Sequence, residues 1–425
     1  MRGITDYGAD GLTGVENMST KSKGEVTPHR TDTKGEQELG DQLLLGADSE
    51  QDPAISVVMP TMNEEEGIVE CIQRVKHALA ESGLTGEIVI SDDSTDRTPE
   101  LAREHGAIVV EPDGKGYGYA YRFAFEQTRG QYIAMGDADT TYDFEQIPRL
   151  LEPVVDGDAD MVMGSRLEGE IRDGAMPTLH QYVGNPLLTK FLNVFYGAGV
   201  SDAHSGFRVF SREAYDEMDL HSDGMEFASE MIMEAGARNL TIAEQPIVYH
   251  EREGEEKLES FTDGWRHIRF MLVNAPGYLF SAPGLVMGLV GVLLMCLAGS
   301  GVELGNANFG IRTMIAGSLL TIVGYQVGSF GVFSSIASDP IRKPNDPITK
   351  RLRAGVSLER GAAAGIGMFA VGGVYAGYTV AQWVIGGYGT LPSLLPDVAA
   401  FTLIVLGLQT LFGSFFMSIV AESTA

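Results

Sequence analysis

Four stretches in the C-terminal part of this chain contain no Asp, Glu, Lys or Arg: Phe270 to Val302, Thr313 to Ser338, Gly361 to Pro396 and Val398 to Ala421. A helix needs about 20 apolar residues to cross a bilayer core, where its backbone groups must be satisfied internally. Each stretch meets that length. Residues 278–421 are therefore expected to form an α-helical transmembrane module of four spans, preceded by a separate soluble unit. The spans are rich in Gly, Ala and Ser, which lets helices approach closely in lipid. They lack the intramembrane charges that mark an ion or proton path, which argues against a transporter.

The formal charge of -28, from 58 acidic and 30 basic side chains, thus falls almost wholly on the soluble part. Such a surface excludes nucleic acid as a partner. Acidic and Lys-poor, it suits concentrated salt, where screening relieves self-repulsion, and a halophilic source is expected. The two cysteines, Cys71 and Cys296, lie in different environments and predict neither a disulfide nor a zinc site.

No signal peptide opens the sequence. Residues 1–52 are too poor in apolar side chains to fold and read as a disordered acidic tail, with Leu43 to Leu45 as a short docking helix. The loop between the second and third spans carries Arg342, Lys343, Lys350, Arg351, Arg353 and Arg360, so it is expected on the cytoplasmic side. Four spans put the soluble domain on that same side. The expected localisation is the cell membrane, multi-pass, with a cytoplasmic catalytic domain. Residues 261–277, with Trp265, Arg266, His267, Arg269 and Phe270 among apolar positions, suit an amphipathic helix at the membrane interface, or a linker helix packed on the soluble domain.

Between residues 53 and 260, short β-branched runs alternate with helical segments. Strands are expected at Ile55 to Met59, Glu87 to Ile90, Ala107 to Val110, Tyr132 to Met135 and Met161 to Met163. Helices are expected at Glu70 to Glu81, Thr98 to His105, Gly118 to Gln127 and Phe144 to Val155. This is the pattern of an α/β, mostly parallel sheet, which binds ligands at the carboxyl ends of its strands.

Polar clusters stand at those ends. The first strand runs into Pro60-Thr61-Met62-Asn63-Glu64-Glu65-Glu66, where a carboxylate can accept hydrogen bonds from a nucleobase or simply favour a helix N-terminus. The second runs into Ser91-Asp92-Asp93-Ser94-Thr95-Asp96-Arg97-Thr98, able to hold a ribose or base, with Asp96 or Thr98 as a helix cap. Lys115-Gly116-Tyr117-Gly118 places glycines where a backbone could approach a ligand. Gly136-Asp137-Ala138-Asp139 offers two hard carboxylates suited to Mg²⁺ or Mn²⁺ on a diphosphate; alone, it reads more readily as a solvated turn.

In this order, Pro-Thr-x-Asn-Glu, Asp-Asp-Ser-Thr-Asp-x-Thr and Asp-Ala-Asp resemble the family 2 glycosyltransferases of the GT-A fold. Gly164-Ser165-Arg166, Ser205-Gly206-Phe207-Arg208, Gly224-Met225-Glu226-Phe227 and Arg252-x-Gly254-Glu255-x-Lys257-Leu258 are similar to the dolichyl-phosphate mannose synthase branch. The resemblance spans Ile55 to Leu258. It implies that Asp137 and Asp139 hold the metal and donor diphosphate. Pro60, Thr61, Asn63, Glu64, Asp92, Asp93, Lys115, Gly116 and Asp137 would bind the nucleotide sugar. Arg252 and Lys257 would neutralise the departing diphosphate, and Arg166 and Arg208 would receive the acceptor's phosphate. Ser91, Thr141, Glu256, His180 and Gly184 depart from the pattern and point to a distinct subgroup.

The implied reaction is inverting transfer of a sugar from a GDP- or UDP-linked donor to a polyprenyl or dolichyl phosphate, feeding protein glycosylation or cell-surface glycan assembly. A phosphate acceptor is already ionised and needs no strong base. Glu226 and Glu230, four apart on one helix, could orient acceptor or sugar, and Glu230 could act as base for a hydroxyl acceptor. Two other readings stand beside it: a glycosyltransferase with another membrane lipid or glycan as acceptor, and a non-catalytic partner that only binds nucleotide sugar. Oligomeric state is left open.

Overall fold

The computed structural model describes residues 34–178, 180–252, 260–304, 307–337, 358–389 and 394–423. Within it, Lys34–Leu43 (α1) leads to alternating strands and helices: Ile55–Thr61 (β1), Ile68–Ser82 (α2), Gly86–Asp92 (β2), Thr98–Glu104 (α3) and Ile108–Val110 (β3). Tyr117–Phe125 (α4), Tyr132–Met135 (β4), Ile147–Val155 (α5) and Met161–Ile171 (β5) follow. Asn185–Tyr196 (α6), Arg208–Ser211 (β6), Arg212–Glu217 (α7), Phe227–Arg238 (α8) and Ile242–Tyr249 (β7) complete the soluble fold.

The seven strands form one sheet in the order β3-β2-β1-β4-β6-β5-β7. β1 pairs parallel with β2 and β4, and β2 with β3, which sets three motif-bearing strand ends side by side. β6 runs antiparallel between β4 and β5, so the mostly parallel GT-A sheet is mixed in its second half. Successive side chains of a strand point to opposite faces. Accordingly Val57, Met59, Ile88 and Ile90 join one buried cluster with α2 and α5, and Val58 and Val89 join another with α4 and α8. Burial on both faces explains why these strands read as unbroken apolar runs.

The acidic tail expected through Asp52 is ordered from Lys34 onward. α1 has few apolar residues; its Leu43 packs against the core, and Asp41 pairs with the buried Lys76 of α2 at 2.6 Å. Gly40 lies so close to the Lys76 carbonyl that a Cβ there would sit 2.5 Å from its oxygen. Leu43 is the last residue of this helix and Leu44 pairs beside Gly86, so the expected docking helix is a helix end followed by a bridge to the sheet. The earlier tail, at 1–33, lies outside the described residues.

Among the described residues, four helices are long and apolar enough to cross a membrane: Gly277–Ser300, Ile311–Ser334, Leu358–Ile385 and Leu395–Val420. Glycines bring the first two together, since a Cβ on Gly291 would lie 2.5 Å from the Thr321 nitrogen. The last two meet the same way, Gly365 standing against Leu411 and Gly407. Ser318 bonds Thr402 at 2.7 Å and Tyr325 bonds Thr410 at 2.7 Å, tying the second helix to the fourth. Of the basic loop used for orientation, Arg360 alone falls among the described residues.

Ser260–Asn274 (α9) precedes the first apolar helix. Its His267 and Met271, with Ala275 just beyond it, are buried against the soluble domain, while Trp265 and Val273 are exposed on the other side. The buried side matches the reading of a linker helix packed on the soluble domain. α6 lies alongside: Tyr278 stacks on Phe195 and donates to the Val194 carbonyl at 3.3 Å. Tyr182, Val183, Leu187 and Val194 extend the exposed apolar surface from α9 onto α6 and the turn before it.

Candidate active site

The first two motif loops are laced together. Asn63 sits at φ 59°, a left-handed conformation that Asn tolerates. Its Oδ1 accepts from the Thr95 N–H at 2.8 Å, and its own N–H donates to Ser94 Oγ at 2.8 Å. Thr61 donates to Asp92 at 2.7 Å, and the Glu64 N–H donates to Thr98 Oγ1 at 2.9 Å. Thr61, Asn63 and Asp92 thus hold one loop to the other at the edge formed by these strand ends. Asp96 caps α3, accepting from the Thr98 N–H at 3.0 Å, as one of the sequence readings has it.

Asp93 and Lys115 are exposed at this edge, and Pro60 is half-buried, opposite Ser91. Gly116 has another reason to be glycine than close approach to a ligand. At φ 120°, a Cβ there would collide with the Asp223 carbonyl, and that carbonyl accepts from the Gly118 N–H at 2.9 Å. The close approach is to the protein's own loop. Glu230 holds that loop from behind, its buried carboxylate accepting from the His221 and Ser222 N–H groups at 3.0 and 2.9 Å. Burial raises its pKa, and the carboxylate is turned to backbone amides, where it braces the loop.

At the end of β4 stand Asp137 and Asp139. Tyr117 donates to Asp137 at 3.0 Å. Burial, and then the neighbouring Asp139 carboxylate, push the Asp137 pKa up to about 7. Asp139 accepts from the Thr141 hydroxyl at 2.5 Å, so Thr141, one of the departures from the family pattern, orients Asp139. The Thr141 carbonyl accepts from the His250 N–H at 2.9 Å, which delivers the chain after β7 to this spot. Two residues on, Arg252 bridges Glu64 at 2.9 Å and Asp139 at 3.4 Å, with its buried Nε unpartnered among the described residues.

Among the described residues no group of three or more His, Cys, Asp or Glu could enclose a metal by itself. Two carboxylates held together at the cost of a raised pKa nevertheless fit an Mg²⁺ or Mn²⁺ that completes its shell from diphosphate and water. Lys257 lies outside the described residues.

The two arginines expected to receive phosphate differ. The fork of Arg166 is taken by buried Asp202, Nε to Oδ2 at 2.8 Å and Nη2 to Oδ1 at 2.9 Å, and its guanidinium covers the Tyr249 ring. Arg166 therefore fastens the loop at Asp202 in place of offering that fork to a ligand. Glu244 braces the same loop, accepting from the Ser201 and Asp202 N–H groups. Arg208 is wholly buried and has no carboxylate partner in an ion pair among the described residues. Its Nε and Nη2 donate to the Ser205 and Ala203 carbonyls at 3.0 and 3.1 Å, and Nη1 has no partner among the described residues. Burial lowers its pKa to about 10. Sequence reading missed Asp202, Glu244 and Tyr117, whose partners lie 36, 42 to 43 and 20 residues away, with no motif linking them.

Comparison with known proteins agrees with this architecture. The family description "Glycosyl transferase family 2" matches residues 56–219, and "Glycosyltransferase family 2 C-terminal transmembrane region" matches residues 336–421. The chain is 60% identical over 413 residues to the low-salt glycan biosynthesis hexosyltransferase Agl6 of Haloferax volcanii, covering 95% of this chain and 100% of that one. It is 35% identical over 215 residues to a dolichyl-phosphate hexose transferase of the same organism, covering 49% of this chain and 89% of the other. A crystal structure of glucosyl-3-phosphoglycerate synthase from Mycobacterium tuberculosis, with Mn²⁺, UDP and glucosyl-3-phosphoglycerate, is similar with a TM-score of 0.43 at 23% identity, covering 58% of this chain and 85% of that one. The relatives from Haloferax volcanii accord with the halophilic character read from the surface charge.

Proposed function

This chain belongs to glycosyltransferase family 2, and we propose that it transfers a sugar from a GDP- or UDP-linked donor to the phosphate of a polyprenyl phosphate such as dolichyl phosphate. The observation that carries this reading is Arg208, a wholly buried guanidinium without an ion-pair partner among the described residues, whose strand pairs with Met135 just before Asp137. A buried cation is costly unless an anion neutralises it, and a phosphate monoester does so. The lipid part of the acceptor is supported by the apolar surface of α6 and α9, which leads into the first apolar helix.

In the proposed reaction an acceptor phosphate oxygen forms a bond to the anomeric carbon as the bond from that carbon to the donor diphosphate breaks. The electron pair leaves on the nucleoside diphosphate, and the configuration inverts. The monoester is already ionised, so no side chain need take its proton, in keeping with Glu230 being engaged elsewhere. Glu64 and the loops at Asn63 and Asp92 border the nucleoside, and Arg252 stands where the diphosphate develops charge. Asp137 and Asp139 would hold Mg²⁺ or Mn²⁺, which supplies positive charge to the diphosphate when bound. Lys257 keeps its proposed place beside the leaving group. The basic loop before the third apolar helix supports placing this chemistry at the cytoplasmic face.

The test is transfer of radiolabelled sugar from GDP- and UDP-sugars into organic-extractable lipid, by purified protein with dolichyl phosphate, Mg²⁺ or Mn²⁺ and high salt. A labelled lipid whose sugar phosphate is labile to mild acid is expected. Donor hydrolysis without lipid labelling would move the reading to another acceptor. No donor consumption would move it to a non-catalytic partner.

A further inference from the structure

Three buried polar atoms on one short loop have no hydrogen-bond partner among the described residues: His204 Nδ1, Ser205 Oγ and Arg208 Nη1. Unpaired buried donors are rare and each costs free energy, so three within five residues call for a ligand that accepts from all of them.

The loop is built to stay in place. The Gly206 N–H donates to Tyr142 Oη at 2.8 Å, the Ala203 N–H to Thr189 Oγ1 at 3.2 Å, and Arg208 folds back on the Ser205 and Ala203 carbonyls. Gly206 touches the metal-binding pair, since a Cβ on it would lie 3.2 Å from Asp137 Oδ2.

The ring of His204 is set from behind. Its Nε2 lies 3.2 Å from Ser229 Oγ, which lies 3.0 Å from Nδ1 of His267 on α9, and the two rings meet edge to face at 4.8 Å. Ser229 has one proton to give. If His267 donates to Ser229, Ser229 donates to His204 Nε2, and His204 then carries its own proton on Nδ1, the unpartnered atom. Burial and the neighbouring His267 lower the His204 pKa and so favour the neutral ring, and in that arrangement Nδ1 is the donor.

We infer that His204, Ser205 and Arg208 form a cradle for the acceptor's phosphate monoester, with Ser229 and His267 as positioning residues that turn the His204 N–H into it. This rests on the acceptor reading above and extends it by two ligands and by a link to the helix that precedes the first apolar span.

The test is equilibrium binding, which needs no turnover. Titration calorimetry on the full chain in detergent and high salt compares geranylgeranyl phosphate with geranylgeraniol, and separately measures UDP and GDP. The wild type is expected to prefer the phosphate. His204→Ala and the gentler Ser205→Ala should each lose about 10-fold in that preference, the scale of one hydrogen bond to a charged group. His204→Asn, whose amide nitrogen replaces Nδ1, should recover most of it, and nucleotide binding should be unchanged, which also reports an intact fold. Equal binding of phosphate and alcohol by the wild type, unchanged preference in Ser205→Ala, or a loss confined to nucleotide would each overturn the cradle. Phosphate preference without sugar transfer would overturn the proposed reaction and leave the cradle standing.

Discussion

Arg252 and Glu64, 188 residues apart in the chain, meet at 2.9 Å, and the same guanidinium reaches Asp139 at 3.4 Å. One cation thus joins the loop after β1, the carboxylate pair after β4 and the segment after β7. Arg252→Ala leaves both carboxylates without their cation and should lower kcat/KM by about 100-fold or more, the scale of losing one preorganised charge contact. Arg252→Lys, with a single ammonium, should recover little, because it cannot serve two carboxylates in a fork. Steady-state transfer assays on both variants decide it; near-normal turnover by Arg252→Ala would remove Arg252 from the site.

Asp139→Ala should abolish transfer, and chelation of divalent ions should silence the wild type reversibly. Readdition of Mg²⁺ or Mn²⁺ restores activity if Asp137 and Asp139 hold the ion as proposed. Full activity in excess chelator would refute the metal assignment.

The raised pKa of Asp137 makes a signed prediction for metal-free protein. Its folded pKa is about 7 against a reference value of 3.8, so between these values the folded state holds a proton that the unfolded state has lost. The contribution of this group to stability therefore falls as pH rises through that window and levels off above it. Asp137→Asn lacks the change, so its Tm relative to wild type should climb from acid pH toward 7. Added Mg²⁺ should narrow the gap; thermal unfolding in chelator across pH tests this, and a pH-independent gap contradicts it.

Asp202→Ala strands Arg166, whose fork Asp202 fills inside the protein. Breaking one partner of a buried pair costs about 3–5 kcal/mol, so a large fall in Tm is expected at any salt concentration that keeps the wild type folded. A change as small as that of an exposed pair would show that Arg166 finds another partner.

Arg208→Ala should weaken the phosphorylated acceptor far more than the nucleotide. In melting experiments geranylgeranyl phosphate should raise the Tm of the wild type, because a ligand that binds only the folded state stabilises it. The variant should show little such shift while keeping the shift caused by UDP or GDP.

What could be read along the chain was whatever depends on local order: four charge-free lengths sufficient for a bilayer, alternating strand and helix patterns, and polar motifs placed at strand ends. These follow from periodicity, span length and the geometry of parallel sheets, which act over a few residues or one βαβ unit. The matches were close, as with Tyr132–Met135, predicted and found with the same bounds.

Contacts formed by distant segments were not legible. β6 enters the sheet antiparallel, Asp202 claims Arg166, Asn63 and Asp92 turn out to hold loops together, and Gly116 makes room for Asp223. Side-chain type gives an arginine the capacity to bind either a carboxylate or a phosphate. Only the folded chain brings Asp202 to Arg166 and, among the described residues, leaves Arg208 without a carboxylate ion pair, because the partner that neutralises a buried charge is chosen in space.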